Sequence, residues 1–129
     1  MRLALDTSAY VELQRDAPDL AEEVRGAEVI GLPIIVLGEL RFGFVNGTRL
    51  HENTRTLERF LAVPRVQVLG IDDHTTHLFG EIAALLRRAG TPIQQNDMWI
   101  AALCKQHDFV LATADRGFGH VLGLRVIVT

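Results

Sequence analysis

The chain begins with a short apolar run that ends in a carboxylate, Met1-Arg2-Leu3-Ala4-Leu5-Asp6-Thr7-Ser8. Residues 2–5 are typical of a short buried strand, and the pattern that follows predicts a helix over residues 8–15. A second run of this kind covers residues 109–112, and Asp115 follows it. Strands that alternate with helices form a parallel sheet with helices on both faces. The two stretches therefore predict an α/β fold.

The rest of the chain repeats this alternation. Further strands are predicted at residues 28–31, 66–71 and 125–128. Further helices are predicted at residues 19–25, 33–45, 48–64, 72–89 and 97–105, with a turn or short helix at 115–120. Asp19 and Asp72 are predicted N-caps, Pro33 is expected in the first helical turn, and Gly26 and Gly90 are predicted to end helices. No repeat and no Pro/Gly/Ser-rich linker divides the 129 residues, so we expect a single domain over residues 1–129.

Composition excludes several classes of protein. Hydrophobic residues make up 48% and charged residues 22% of the chain, which is unlike a disordered segment. No apolar run approaches the roughly 18 residues of a membrane span. Asp6 interrupts the first apolar run, which is unlike a signal peptide, so we expect a cytoplasmic protein. Cys104 is the single cysteine, so an intramolecular disulfide is excluded, and its apolar surroundings predict a buried side chain.

The net charge of −3 does not by itself indicate a nucleic-acid-binding protein. Of the 13 basic side chains, 12 are arginine, which suits bidentate contacts to phosphate. If four of the 16 acids surrounded a metal ion, the remaining 12 would nearly balance the 13 bases. Charge alone therefore leaves the class of partner open.

Four acidic residues stand out by their positions. Asp6 and Asp115 follow predicted strands, and ligands of open α/β sheets bind beyond the carboxyl ends of the strands. Asp97 lies near a predicted helix start, and Glu39 lies in the apolar stretch Ile35-Val36-Leu37-Gly38-Glu39-Leu40. Singly, each has a simple structural interpretation as a helix cap, a turn residue or a solvent-facing side chain. Together, they are positioned to converge on one edge of the sheet.

A convergence of carboxylates has a chemical use. Without a cation they repel each other and take up protons. Oxygen ligands suit Mg²⁺ and Mn²⁺, and such ions activate water for phosphodiester displacement. We find no Ser/His/Asp or Cys/His arrangement, no Walker-type loop and no dinucleotide fingerprint that would favour another chemistry.

Four segments, in their order and spacing, resemble the motifs of one known family, the PIN-domain ribonucleases. The segments are Leu5-Asp6-Thr7-Ser8, Leu37-Gly38-Glu39-Leu40, Asn96-Asp97-Met98-Trp99-Ile100-Ala101-Ala102 and Leu111-Ala112-Thr113-Ala114-Asp115-Arg116-Gly117-Phe118. The resemblance covers essentially the whole chain. Compact members of this length look like the VapC-type toxins of bacterial and archaeal toxin–antitoxin pairs. The resemblance implies a PIN-like three-layer fold with a central parallel sheet.

The resemblance also implies an activity, metal-dependent endonucleolytic cleavage of RNA. Metal-activated water would attack the phosphorus and leave a 5′-phosphate and a 3′-hydroxyl. The implied catalytic and metal-binding residues are Asp6, Glu39, Asp97 and Asp115. The groups implied to orient these carboxylates or the metal-bound water are Thr7, Ser8, Asn96 and Thr113.

The chain departs from the family pattern at one position. Some members carry another acid two residues after the fourth motif acid, where this chain has Gly117. We therefore expect one firmly bound Mg²⁺ or Mn²⁺ ion and a second ion that arrives with the substrate.

The resemblance further implies partners: an RNA substrate, a small antitoxin protein that blocks the site and binds operator DNA, and a second copy of the chain in a homodimer. Residues 34–45 are apolar around nearly the whole helix, which predicts either a central packed helix or one that a partner covers. Arg41 and Arg116 are candidate contacts to RNA phosphates, or else partners of the acids when no metal is bound. Trp99 is expected in the core rather than in base stacking.

Three other functions remain open at this point. One is a catalytically silent module of the same fold that binds nucleic acid or protein. Another is a phosphatase with Asp6 as nucleophile, although Ser8 stands where that chemistry typically places a second acid. The last is a nuclease directed at DNA, because the acids alone do not distinguish RNA from DNA.

Overall fold

The computed structural model describes all 129 residues, and its centre is a five-stranded parallel sheet. The strands are β1 (Arg2–Leu5), β2 (Val29–Pro33), β3 (Val66–Leu69), β4 (Val110–Thr113) and β5 (Val126–Val128). Their order across the sheet is β3-β2-β1-β4-β5, and every neighbouring pair is parallel. The order reverses between β1 and β4, which is where ligands bind in folds of this type.

Six α-helices and one short 3₁₀ helix surround the sheet. They are α1 (Thr7–Gln14), α2 (Pro18–Gly26), α3 (Ile34–Val45), α4 (Leu50–Leu61), α5 (Asp73–Ala89), α6 (Gln95–His107) and the 3₁₀ helix Arg116–His120. The consecutive residues Leu3, Ala4 and Leu5 of β1 are all fully buried. Successive side chains of a strand point to opposite faces, so both faces of the sheet are covered. The predicted α/β class with a helix-flanked parallel sheet is confirmed.

The core depends on close packing across the sheet. A Cβ at Gly31 in β2 would lie 2.8 Å from the ring of Phe109, so glycine leaves the space that this ring fills. The guanidinium of Arg2 lies 4.3 Å from the centre of the same ring and donates a 3.0 Å hydrogen bond to the carbonyl of His107. Cys104 is fully buried, as predicted.

Trp99 is half-buried and stacks on Phe79 of α5, with 4.0 Å between the ring centres. This contact joins α5 to α6. Trp99 is therefore packed against a neighbouring helix but lies outside the core cluster, so its predicted place in the core was wrong.

The boundaries of the long helix α5 agree with the prediction. Asp72 caps it in a capping box with Thr75, and Gly90 follows it with a left-handed φ of 72°. This helix has 17 residues, and none of the helices has the length and apolar character needed to cross a membrane.

Other predicted boundaries were wrong. Asp19 is not an N-cap, because α2 begins at Pro18 and Ala17 precedes it without a side-chain cap; the end of this helix, at Gly26, agrees with the prediction. Pro33 ends β2 and directly precedes α3 instead of lying in its first turn. The helix expected from residue 48 begins at Leu50, because the backbone of residues 46–49 is still in a turn.

Candidate functional site

The four acids predicted from the sequence line one cavity at the carboxyl end of the sheet, with a volume of about 570 Å³. Asp6 directly follows β1, and its backbone amide donates a 3.2 Å hydrogen bond to Ala112 of the neighbouring β4. Asp115 lies just beyond β4, so both acids come from the point where the strand order reverses. Glu39 is supplied by the second turn of α3 and Asp97 by the first turn of α6.

Asp6 is the most constrained of the four. Its Oδ1 accepts hydrogen bonds from the Ala9 amide at 2.8 Å and the Ser8 hydroxyl at 2.7 Å. Its Oδ2 accepts a hydrogen bond from the Thr113 hydroxyl, and the residue is only 6% exposed. Asp6 therefore caps α1 and belongs to the site at the same time.

This environment disfavours the phosphatase alternative. Phosphoryl transfer to Asp6 would need a second acid two residues further on, and that position holds Ser8. Ser8 donates to Asp6 and so does not replace the acid that such chemistry requires.

Glu39 and Asp115 are each held by one oxygen. The Thr7 hydroxyl donates to Oε1 of Glu39 at 2.7 Å, and the Gly117 amide donates to Oδ1 of Asp115 at 2.8 Å. A Cβ at Gly117 would lie 3.0 Å from this Oδ1, tighter than an ordinary contact. The position where some family members carry a further acid thus serves here, through its backbone, to orient Asp115.

Three of the four residues predicted to orient the acids contact them or the loop that carries them. Besides the bond from Thr7, the Thr113 hydroxyl accepts from the Asp115 amide at 2.9 Å. The Ser8 hydroxyl accepts from the Ala114 amide at 3.0 Å. Asn96 is different: it is exposed and lines a neighbouring cavity beside Ile34 and Phe42.

The four carboxylates lie close enough for their charges to interact. The pKa of Asp97 is raised to about 6, first by burial and then by the negative charges of Asp115, Glu39 and Asp6. Burial and like charges in one cavity both disfavour the ionised form of a carboxyl group. The site therefore carries more negative charge than it accommodates well without a cation.

The donor set fits a hard divalent cation. All four acids offer oxygen only, and Glu39, Asp97 and Asp115 each keep an oxygen that accepts no hydrogen bond from the protein. No three His, Cys, Asp or Glu side chains of the chain lie close enough to hold a metal ion as they stand. Ion binding would therefore require the carboxylates to draw together.

Two further polar residues line the cavity, Glu12 and Arg15, and neither was predicted from the sequence. A signal for them exists: with Ser8 they are spaced by four and three residues, which places them on one face of α1. Arg41 and Arg116 are both exposed, and neither lines the cavity.

The chain is similar to known proteins over nearly its whole length. Residues 3–123 match the family model of the PIN domain. Ribonuclease VapC4 of Mycobacterium tuberculosis is 28% identical over 98% of this chain and 95% of its own length. Plasmid stability protein StbB of Pseudomonas syringae is 31% identical over 97% of this chain and 96% of its own. The crystal structure of DNA-bound VapBC from Salmonella typhimurium has a TM-score of 0.85 and 26% identity, covering 99% of this chain and 98% of that one.

Proposed function

The chain belongs to the PIN-domain family, and on that premise we propose that it is a divalent-metal-dependent endoribonuclease, the toxin of a toxin–antitoxin pair. The similarity to ribonuclease VapC4 over nearly the full length of both chains supports the ribonuclease activity. The similarity to a VapBC structure supports the pairing with a second protein.

One observation carries the proposal: four carboxylates from four separate segments line one cavity, and burial together with the charges of the other three raises the pKa of Asp97. A catalytically silent module has no use for such a repulsive arrangement. A site that takes up a cation does, because the ion relieves the repulsion.

We assign the metal site to Asp6, Glu39, Asp97 and Asp115, with one firmly bound Mg²⁺ or Mn²⁺ and a second ion that enters with the substrate. When bound, such ions activate water and stabilise the charge that develops on the phosphate. The chain's own contribution is orientation: Thr7, Ser8 and Thr113 hold carboxylate oxygens in place. Removing a group of this kind typically lowers activity or metal affinity by about 10- to 100-fold.

Asn96, Arg41 and Arg116 lie outside the lining of the acid cavity. We assign Asn96 to a metal-bound water and the two arginines to RNA phosphates outside the acid cavity. Asn96 and Arg116 lie in the third and fourth motifs, Arg41 directly follows the second, and all three side chains are exposed.

The proposed protein partner is a small antitoxin that covers the exposed side of α3. Ile34 is 41%, Phe42 72% and Val45 70% exposed on this helix, although all three are large and apolar. Exposed apolar surface of this kind marks interaction sites. DNA would be bound only through the antitoxin, and the homodimer rests on the family resemblance alone.

We also propose that residues 1–129 act as one domain, which the single continuous sheet supports. Because the proposed substrate is RNA, we place the activity in the cytoplasm.

The test is cleavage of total cellular RNA by the purified, antitoxin-free protein in Mg²⁺, Mn²⁺ or EDTA, beside the Asp6→Asn variant. Discrete fragments that require the metal and are absent from the variant would support the proposal. A folded protein that neither cleaves RNA nor binds either metal would contradict it and leave the silent binding module as the better account.

A further inference from the structure

A second cavity of about 410 Å³ lies between α1 and α4, next to the acid cavity. The two cavities share Val11 and Arg15 in their walls, so they adjoin along the C-terminal half of α1. Its volume falls in the range of small-molecule sites, roughly 300–1,000 Å³. None of the four acids of the metal site lines this cavity.

The walls of this cavity are mainly polar. Gln14 and Asn53 contribute side-chain amides, each of which donates and accepts hydrogen bonds. The guanidinium of Arg49 is held by Glu52, with Nε to Oε2 at 3.0 Å. Paired donors and acceptors of this kind match the edges of nucleobases.

Tyr10 adds an unusual feature to the same cavity. The residue lines it and is only 3% exposed, and its hydroxyl has no hydrogen-bond partner. Buried polar atoms nearly always have a partner. Its ring is fixed edge-on against Phe60 of α4, with 5.4 Å between the ring centres. Tyr10 therefore contributes a rigid, largely buried group to the wall of this cavity.

Arg15 stands where the two cavities meet. It is the one basic side chain that lines the acid cavity, and none of the four ion pairs of the chain includes it. A phosphate that approaches four carboxylates needs a compensating positive charge, and the planar guanidinium suits phosphate.

We propose that the α1–α4 cavity is a nucleotide subsite of the RNA substrate, an inference that rests on the proposed function. Arg15 contacts a phosphate adjacent to the cleaved one, and the cavity takes the attached base. Gln14 and Asn53 read the edge of that base, and Tyr10 forms part of the surface against which it lies. A polar wall that contains an ion pair favours a base over the apolar helix of a protein partner, which the exposed side of α3 suits better.

The test compares cleavage-site sequences and steady-state kinetics for wild type, Gln14→Ala, Asn53→Ala and Arg15→Ala. Arg25→Ala is the matched control, since it removes an exposed arginine of α2 that lines neither cavity. Loss of a base-edge contact is expected to relax the preference at one position beside the cut by roughly tenfold. Arg15→Ala is expected to raise KM by about tenfold with little change in kcat, because its phosphate contact persists through the reaction. The control keeps the wild-type pattern.

Two outcomes would overturn the subsite while the proposed function stands. One is wild-type base preference in both amide variants. The other is an Arg15→Ala effect on kcat alone. Loss of binding to a co-expressed antitoxin, with RNA preference intact, would instead assign the cavity to the protein partner.

A second measurement does not depend on cleavage. Titration of the metal-free protein with each of the four 5′-mononucleotides, followed by NMR, is expected to shift the side-chain amides of Gln14 and Asn53 with a preference for one base. Equal or absent shifts for all four would contradict the subsite. A wild type that cleaves no RNA would contradict the proposed function instead. The titration would still show whether the cavity binds a nucleotide.

Discussion

The Thr113 hydroxyl donates a hydrogen bond to Oδ2 of Asp6, which joins the last residue of β4 to the first residue beyond β1. The same hydroxyl accepts from the Asp115 amide at 2.9 Å. One fully buried side chain thus connects two of the four acids. The positions of these acids are therefore set by strand pairing and local hydrogen bonds, before any ion binds.

Replacing the Thr113 hydroxyl tests how much the orientation of Asp6 and Asp115 contributes, because the charges of both acids stay unchanged. Thr113→Val keeps the shape of the side chain but leaves Oδ2 of Asp6 and the Asp115 amide each without this hydrogen-bond partner. We expect RNA cleavage to fall by about 10- to 100-fold and the free energy of unfolding to fall by about 1–3 kcal/mol. Thr113→Ser, which keeps the hydroxyl, is the control and is expected to retain most of both. Equal cleavage by the valine and serine variants would contradict this role.

Asp97→Asn is expected to abolish cleavage and to stabilise the metal-free protein at neutral pH. The folded-state pKa of about 6 lies above the ordinary 3.8, so ionisation of Asp97 costs stability at pH values above 6. The cost disappears as the pH falls below 3.8, where the carboxyl is protonated in both states. After allowance for solvent screening, we expect the variant to gain about 1 kcal/mol at pH 7.

The measurement is the difference in Tm between wild type and Asp97→Asn in EDTA from pH 7.5 to about 4. The difference is expected to be largest at the high end and to close toward the low end. A difference that stays constant with pH would show that the ionisation of Asp97 is not its cause.

Metal binding is expected to stabilise the wild type. An ion that binds only the folded state adds about 2.7 kcal/mol when its concentration is 100 times Kd. We expect Mg²⁺ to raise Tm in the wild type and to leave it unchanged in the Asp6→Asn/Asp97→Asn double variant, as followed by calorimetry. An equal rise in both proteins would place the bound ion elsewhere.

A change far from the acids tests whether stability and activity can be separated. Nη1 of Arg65 donates to the carbonyls of Val24 at 2.7 Å and Ala27 at 2.6 Å, which ties the end of α2 to the start of β3. This is the amino end of the sheet, opposite the acid cavity. Arg65→Ala is expected to cost about 2 kcal/mol of unfolding free energy, measured by urea denaturation. Its kcat in the folded state should match wild type, and a large loss of kcat would contradict the separation.

Much of the architecture follows from local patterns in the sequence. The apolar runs before Asp6 and Asp115 predict two strands, and parallel pairing then brings the two acids to one edge. The ends of α5 could be predicted because the N-cap Asp72 and the left-handed Gly90 act only on the backbone next to them. Glu39 and Asp97 lie inside helices and have no strand-end signal of their own. They were predicted from an apolar stretch and a helix start, and the family resemblance supported that choice.

Other features depend on contacts that the sequence does not show. Helix α2 begins at Pro18 rather than after Asp19, because proline with its fixed φ suits the first helical position and displaces the expected cap. Glu12 and Arg15 reach the acid cavity only because α1 turns that face toward β4, which depends on tertiary packing. Asn96 has the right motif position but faces the neighbouring cavity.

The most direct test of the metal-dependent cleavage site is the chemistry of the RNA ends that the purified protein makes. Attack by activated water leaves a 5′-phosphate and a 3′-hydroxyl, whereas attack by the RNA's own 2′-hydroxyl leaves a cyclic phosphate. We predict fragments with 5′-phosphate ends that form in Mg²⁺ or Mn²⁺, disappear in EDTA and are absent with Asp97→Asn. Cyclic-phosphate ends that persist in EDTA and with the variant would contradict the account.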